Sequence, residues 1–311
     1  MIQLKVLILG ANGYIGNSLL HYLNRVHELI AYDKVFTTEE LANVKYITGD
    51  YLNIDSYSQA IIESDVIFNF IGLSGAANSV RKTLLYNSIN IDAHLKFIDY
   101  VYSLGLEKKI IFISSRLVYG KTGNRIVDEL TPCCPLDFYG IQKRTIEEYL
   151  RVYSSLNSKI STTVIRLSNP YGYYNRPEST PGYNFINALI DKIYHKEEIV
   201  LYGTGQQKRD YIYIDDVLFA FETLLSSKDN YSIYNLGAGN SISIIDAINT
   251  ISNIIGKKAL VKNVEWPSLD YILETGDCFM SIEKLKQLGW KPFFSFEDGI
   301  KRTFDVKCIE N

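Results

Sequence analysis

From its sixth residue the chain runs Val6-Leu7-Ile8-Leu9, a short apolar strand, directly into Gly10-Ala11-Asn12-Gly13-Tyr14-Ile15-Gly16 and a helical stretch over Tyr14–Arg25. A strand that becomes a helix through three glycines needs a tight backbone turn, and it leaves the first amide N–H groups of the helix open to whatever approaches them. The first half of the sequence repeats the alternation. Strands are expected near Leu29–Tyr32, Val44–Thr48, Val66–Phe70, Ile110–Ser114 and Thr162–Leu167, with helical stretches at Ser56–Ile62, Leu84–Tyr102 and Tyr139–Tyr153 between most of them. Continuous apolar strands alternating with helices indicate an α/β fold, a Rossmann-type doubly wound parallel sheet covered on both faces, with ligands at the carboxyl ends of its strands.

After Asn169 the rhythm turns irregular, with Pro170, Pro177 and Pro181 in quick succession. In a chain of 311 residues this is read as two domains: residues 1–170 as the larger one, and residues 171–311 as a smaller C-terminal α+β domain that binds substrate. Segments near 211–237, Tyr211–Glu222 and Tyr231–Gly237, are expected to return to the first domain. The 32 Lys and Arg against 35 Asp and Glu form no basic stripe, so neither nucleic acid nor a membrane surface is expected as the main partner. Small phosphate-bearing ligands remain compatible with this balance. Met1 leads into the first strand without the features of a signal peptide, and no apolar run is long enough to span a bilayer. Cys133, Cys134, Cys278 and Cys308 lack the spacing of a zinc site or disulfide framework, so no metal and a reducing cytoplasm are expected. Most of the 24 tyrosines are expected to be half-buried packing residues.

Gly10, Gly13 and Gly16 stand where a dinucleotide fingerprint belongs, although the spacing is G-x-x-G-x-x-G rather than the tighter G-x-G-x-x-G. The backbone of such a turn approaches a pyrophosphate, whose charge the helix N-terminus favours. Asp33 ends the second strand 20 residues beyond Gly13, close to the position of a ribose-binding acid. A carboxylate there accepts from the adenosine ribose and repels a 2′-phosphate, which selects NAD over NADP; the adjoining Lys34 weakens that selection. Asp50, ending the third strand, accepts from the adenine amine or caps the turn Asp50-Tyr51-Leu52-Asn53, two readings that stay open.

Ser114 and Ser115 end the fifth strand, and Tyr139 and Lys143 lie at i and i+4 on one helix face. A phenol with a pKa of about 10 is a base only when ionised. A fixed cation beside it and the positive ring of an oxidised nicotinamide both favour the phenolate. With the glycine turn upstream, the three residues point to hydride chemistry on an alcohol.

At this point the chain resembles the extended short-chain dehydrogenase/reductase family, in particular its NAD-dependent nucleotide-sugar epimerases and dehydratases such as UDP-glucose 4-epimerase. The likeness covers nearly the whole chain. It is carried further by Arg166-Leu167-Ser168-Asn169-Pro170-Tyr171-Gly172, Gly203-Thr204-Gly205-Gln206-Gln207-Lys208-Arg209-Asp210-Tyr211, Tyr234-Asn235-Leu236-Gly237 and Leu288-Gly289-Trp290. The resemblance implies that Ser115 and Tyr139 contact the sugar hydroxyl to be oxidised and that Lys143 binds the nicotinamide ribose while lowering the Tyr139 pKa. It gives the cofactor Gly10, Gly13, Tyr14, Ile15, Gly16, Asp33, Asp50, Tyr51, Phe70, Gly72, Tyr139, Lys143 and Pro170. To the nucleotide-diphosphate sugar it gives Ser74, Ser79, Ser115, Arg116, Asn169 and Arg209, the last two as diphosphate contacts. Without that context, Asn169 reads as a turn cap, Arg209 as a surface partner of Asp210 or Asp216, and Arg116 as a solvent-facing side chain. Ser74 stands where such epimerases carry Lys, Thr83 where Pro is common, and Pro267 where many relatives have a second diphosphate-clamping Arg.

The shared step places a proton on Tyr139 while hydride passes between sugar carbon 4 and the nicotinamide. Dehydratase relatives carry an acid and a base directly after the active-site Ser or Thr, and Arg116-Leu117 supplies neither, so 4,6-dehydration is disfavoured. Epimerisation through a 4-keto species is the first expectation; net 4-dehydrogenation or 4-keto reduction is the alternative. A reductase of the GDP-fucose synthase type would want a Cys/His pair, and no His lies near these motifs, His94 and His195 being read as helix-surface residues. A non-enzymatic dinucleotide sensor on the same fold is disfavoured because Ser115, Tyr139 and Lys143 occur together. By analogy with the family, the helices near Leu84–Tyr102 and Tyr139–Tyr153 are expected to pair in a homodimer.

Overall fold

The structure, a computed structural model, describes residues 3–37, 39–174, 184–227 and 229–309, except the side chains of Cys308 and Ile309; Pro177 and Pro181 lie outside the described residues. The apolar runs form one seven-stranded sheet: β1 (Lys5–Leu9), β2 (Glu28–Asp33), β3 (Val44–Thr48), β4 (Val66–Asn69), β5 (Lys108–Ser115), β6 (Ile160–Leu167) and β7 (Tyr231–Leu236). Every pairing is parallel, in the order β7-β6-β5-β4-β1-β2-β3. The order reverses between β1 and β4, so the chain leaves in opposite directions from Leu9 and Asn69, and a crevice opens at their carboxyl ends.

Alternation along β1 explains why both faces are covered. Val6 and Ile8 pack on one face with Leu19 and Leu20 of helix α1 (Tyr14–Leu23), while Leu7 and Leu9 face Ala60 and Ile61 of α2 (Ser58–Glu63), Phe97 and Ile98 of α3 (Ala93–Leu104) and Ile146 and Leu150 of α4 (Phe138–Leu156). Two lysines at the start of β5 follow the same alternation and reach helix ends on opposite faces. Lys109 Nζ donates to the carbonyls of Leu224, Leu225 and Ser227 at 2.6, 3.1 and 2.5 Å, and Lys108 Nζ donates to those of Ile62, at 2.9 Å, and Ser64. Each ammonium satisfies carbonyls that a helix C-terminus leaves without partners.

The stretch expected as one helix over Leu84–Tyr102 is interrupted. A short helix, Thr83–Asn87, passes into a π turn over Ser88–Asp92 before α3, and the Ala93 N–H donates to the Ser88 carbonyl. One extra residue in a π turn rotates everything after it by roughly 100° relative to a continuous α-helix. That rotation overturns the reading of His94 as a surface residue: it is buried, edge-on to Tyr51 and Phe112, with Nδ1 3.1 Å from the Ile89 carbonyl. His195 is exposed at its helix end.

Beyond β6 the chain builds smaller pieces around the carboxyl edge of the sheet. Asn169–Tyr171 pairs with Tyr211–Tyr213, and Glu198–Tyr202 pairs with Leu260–Val264. Helix Ile214–Leu225 packs against α1. Among the described residues no helix is long and apolar enough to cross a membrane, and no group of three or more His, Cys, Asp or Glu could hold a metal ion. Cys133, Cys134 and Cys278 are free thiols.

Candidate active site

The glycine turn sits at the crevice because its backbone comes unusually close to other backbone. Gly10 adopts φ +82°, where an L side chain is strained, and a Cβ at Gly16 would fall 2.1 Å from the Gly10 carbonyl oxygen. Gly13 caps α1 without a side chain, so the first-turn amides keep their donors for a ligand. Asp33 Oδ2 accepts from the Asn12 N–H at 2.9 Å and Oδ1 from that of Lys34 at 2.7 Å. The carboxylate therefore steadies the turn as well as facing the crevice. Burial pushes its pKa up against the pull of those two bonds.

Two cavities of about 590 and 390 Å³ share Gly10, Gly13, Phe70 and Gly72 and form one cleft. The larger gathers Tyr14, Ile15, Gly16, Ser74, Ser115, Tyr139, Lys143 and Pro170; the smaller gathers Asp33 and Tyr51. Residues spread over 160 positions of sequence thus meet in one place. Asp50 stands outside: its carboxylate accepts from the Leu52 N–H at 3.0 Å and lies 3.5 Å from Lys34 Nζ, while Gly49 and Tyr51 line the pocket in its stead.

At the chemical end, the Asp137 carboxylate caps α4 through the Gly140 N–H at 2.9 Å. Ser79, expected to touch substrate, is wholly buried: its hydroxyl donates to the Ala76 carbonyl and accepts from the Tyr139 N–H at 3.1 Å. It holds the first turn of α4 rather than a ligand. Lys143 Nζ donates to the Ile113 carbonyl at 2.8 Å and lies 5.8 Å from the Tyr139 ring centroid. Burial lowers the Lys143 pKa to about 7, with Glu147 pulling it upward. Burial also raises the Tyr139 phenol well above its ordinary value, and the hydrogen bond from Ser115 is what opposes that rise. Ser115, more than Lys143, favours the phenolate in this geometry.

Behind the trio lies a buried ion pair that sequence reasoning missed. Arg166 Nη2 and Nε donate to Glu147 at 2.8 and 3.1 Å, Ser114 Oγ donates to the same carboxylate at 2.5 Å, and both charged residues are at most 1 % exposed. Glu147 is one helical turn beyond Lys143, so the pair ties β6 to α4 and Ser114 ties β5 to the same carboxylate. Asn90 in the π turn and Asn184 were missed too. Asn90 grips the Leu73 backbone and Gln142, which fastens the loop holding Gly72 and Ser74. Asn184 lines the cleft and caps the helix Phe185–His195, and its buried Nδ2 has no partner among the described residues. A π turn has no sequence signature, and a lone Asn before a helix reads as an ordinary cap.

Arg116, Asn169 and Arg209 cluster just beyond the cleft. Asn169, between the lining residues Ser168 and Pro170, donates Nδ2 to the Asp210 carbonyl at 2.8 Å. Arg209 pairs with Glu274, not with Asp210 or Asp216, and donates to the Gly276 carbonyl at 2.7 Å. Arg116 is half-buried and turned inward rather than solvent-facing.

A sequence model of the NAD dependent epimerase/dehydratase family matches residues 6–237. The chain belongs to this family. Relatives within the family include the UDP-glucuronate 4-epimerase of Thermodesulfobacterium geofontis, 29 % identical over 96 % of this chain and 94 % of its own. The dTDP-4-dehydro-6-deoxyglucose reductase of Escherichia coli is 28 % identical over 97 % and 98 %. A solved UDP-N-acetylglucosamine 4-epimerase of Methanobrevibacter ruminantium superposes with a TM-score of 0.89 at 25 % identity, covering all of both chains. The protein is an enzyme of an NAD-dependent family, and both isomerases and reductases share its architecture.

Proposed function

We propose that the protein is a nucleotide-sugar 4-epimerase. One observation carries the reading: Ser115, Tyr139 and Lys143 converge beside the Gly10–Gly16 cradle, while the two positions after Ser115 hold Arg116 and Leu117, neither of which can remove and deliver the elements of water. The cleft fits a dinucleotide. The uncapped amides of α1 suit its pyrophosphate, Asp33 and Tyr51 its adenosine, and Lys143, Phe70 and Pro170 its nicotinamide half. When bound, NAD supplies the hydride acceptor and donor and a positive ring that favours the Tyr139 phenolate. Tyr139 takes the proton from the sugar 4-hydroxyl and returns it, and Ser115 orients that hydroxyl and steadies the phenolate. Lys143, held by the Ile113 carbonyl, keeps its ammonium where it bonds a ribose. For the nucleotide diphosphate we propose Arg209, whose charge and fork geometry suit it, and, in place of Asn169, whose Nδ2 is spent on the Asp210 carbonyl, Asn184 on the cleft wall.

A second reading, net oxidation or reduction at carbon 4, uses the same groups and draws on the likeness to the reductase. The NAD-loaded enzyme incubated with UDP-, dTDP-, GDP- and CDP-sugars separates the two. The 4-epimer, resolved by NMR with no net absorbance at 340 nm, is expected. Stoichiometric NADH with a 4-keto product would establish the dehydrogenase instead.

The assembly we propose is a homodimer through the outer faces of α3 and α4, supported by the exposed side chains of Phe138, Ile141, Tyr149, Val152 and Leu156 on α4. The division of labour we propose places the cofactor on residues 1–170 and the sugar nucleotide on 171–311. The segment 211–237 joins the cofactor half, since β7 pairs with β6 and the helix Ile214–Leu225 packs on α1.

A further inference from the structure

Ser115 and Tyr139 belong to different elements, β5 and α4, so the hydrogen bond between them depends on how those elements are fitted together. The sheet holds the end of β5 on one side only. Its ladder to β6 runs as far as Ser115, opposite Leu167, whereas its ladder to β4 stops at Phe112, opposite Asn69. On the β4 side Ile113, Ser114 and Ser115 have no ladder partner among the described residues, and α4 supplies the missing support. Lys143 Nζ donates to the Ile113 carbonyl at 2.8 Å, and the hydroxyl of Ser114, 3 % exposed, donates to Glu147 Oε1 at 2.5 Å. Ser114 stands directly opposite Arg166 in the β5–β6 ladder, so both side chains share the face that Glu147 covers. The carboxylate is itself held fast. Besides Ser114 it accepts from Arg166 Nε at 3.1 Å, Arg166 Nη2 at 2.8 Å and Arg144 Nη1 at 2.9 Å, which fills its lone-pair directions. On the far side of the strand end, the Leu117 N–H donates to Ser115 Oγ at 3.2 Å, which leaves the single O–H of Ser115 for the phenol.

We propose that Ser114 is a positioning residue: anchored on Glu147, it holds the end of β5 so that the Ser115 hydroxyl stays within hydrogen-bond distance of the Tyr139 phenol. This rests on the reading of Tyr139 as the proton acceptor of a 4-epimerase and adds a residue that acts through Ser115. Lys143 alone is one point of attachment, about which the strand end can pivot. The tie at the next residue makes it two, and two points fix a direction. Catalytic groups work only when held within about 0.5 Å of their productive geometry, so slack at Ser114 is felt at Ser115. Ser114→Ala cuts this tie without removing a charge. Glu147 then keeps both arginines, and the fold persists.

The test compares Ser114→Ala, Ser115→Ala and the double variant in the NAD-loaded enzyme. Ser154→Ala is the control: it removes a buried hydroxyl bond of 2.9 Å from α4 to Thr162 of β6, about four helical turns beyond Tyr139. One readout is the acid limb of kcat/KM with a sugar nucleotide that turns over. The other needs no turnover: the carbon-13 NMR signal of Tyr139 Cζ, identified by its absence from Tyr139→Phe. Ser114→Ala is expected to move the limb upward by about half a pH unit and to shift the signal in the direction that Ser115→Ala shifts it. In the Ser115→Ala background it is expected to do neither, because its effect passes through that hydroxyl. Ser154→Ala is expected to lower the melting temperature and leave both readouts in place. The proposal is overturned by a Ser114→Ala enzyme whose limb and signal stay put, by shifts of equal size with and without the Ser115 hydroxyl, or by a control that moves them as far. A Ser115-dependent signal shift in a protein that epimerises no nucleotide sugar would remove the epimerase reading alone, and epimerisation with limb and signal unmoved would remove the positioning role alone.

Discussion

Tyr139 and Ser115 work against burial. The phenol sits where ionisation is disfavoured, and the Ser115 hydroxyl is the protein group that offsets part of the cost. Because the base must be deprotonated, turnover is lost as pH falls through its apparent pKa. Removing a hydrogen bond worth about 1–1.5 kcal/mol moves a pKa by roughly one unit. Ser115→Ala should therefore shift the acid limb of the kcat/KM profile upward by about one pH unit, besides lowering its plateau; an unmoved limb would show that Ser115 orients sugar without touching the phenolate. Tyr139→Phe removes the proton acceptor and should lower kcat at least about 10²-fold. NAD binding, followed by fluorescence titration, should persist because the amides of α1 and Asp33 remain; near-normal turnover would refute the mechanism. These residues were readable because their i, i+4 spacing and strand-end position are local. The Glu147–Arg166 pair and the inward turn of Arg116 were not, since their partners lie 19 and up to 159 residues away.

The π turn shows what an element can hide. Strands β1 to β6 were legible within two residues because apolar runs bounded by turn residues have few alternatives. The helix over Leu84–Tyr102 was legible as helix, yet the extra residue that rotates α3 carries no mark in the sequence. Its consequence is His94, whose pKa burial lowers to about 3, with the Lys143 charge adding to the effect. The folded chain keeps this imidazole neutral, whereas in the unfolded chain it protonates near 6.5. Between pH 6.5 and about 3 the unfolded state therefore binds the extra proton, and stability falls as pH falls. His94→Phe retains an aromatic ring against Tyr51 and Phe112 and removes Nε2, which is buried with no partner among the described residues. Denaturant melts should show the variant gaining on wild type by about 1 kcal/mol at pH 5.5 relative to pH 7.5. Parallel stability curves at both pH values would show that His94 does not titrate on unfolding.

At the scale of the whole molecule, the parallel sheet buries its two faces under its own helices, but α4 keeps an apolar stripe on its outer side. Phe138, Ile141, Tyr149, Val152 and Leu156 follow one another at spacings of 3, 8, 3 and 4 residues and are 39–65 % exposed. Intervals of three and four residues, with the eight equal to two turns, place them along one face of a 19-residue helix. That length, at 1.5 Å per residue, gives a seam of roughly 28 Å. Leu84, 85 % exposed on the neighbouring short helix, and Tyr102 on α3 widen it. An apolar stripe of this extent suits the homodimer proposed above, in which a two-fold axis would set α3 and α4 against their own copies as a four-helix seam. The active-site side chains of α4 lie on the opposite, inward side of the helix, so the interface can be broken while the cleft is left intact. Tyr149→Arg combined with Val152→Arg places two like charges on the seam, four once the copies meet, and should convert a dimer to a monomer in sedimentation equilibrium at micromolar concentration. Lys143, Ile146 and Leu150 remain buried against the sheet in that variant, so NAD binding should survive. A wild-type chain that sediments as a monomer at the same concentration would remove the dimer and leave the stripe to another partner.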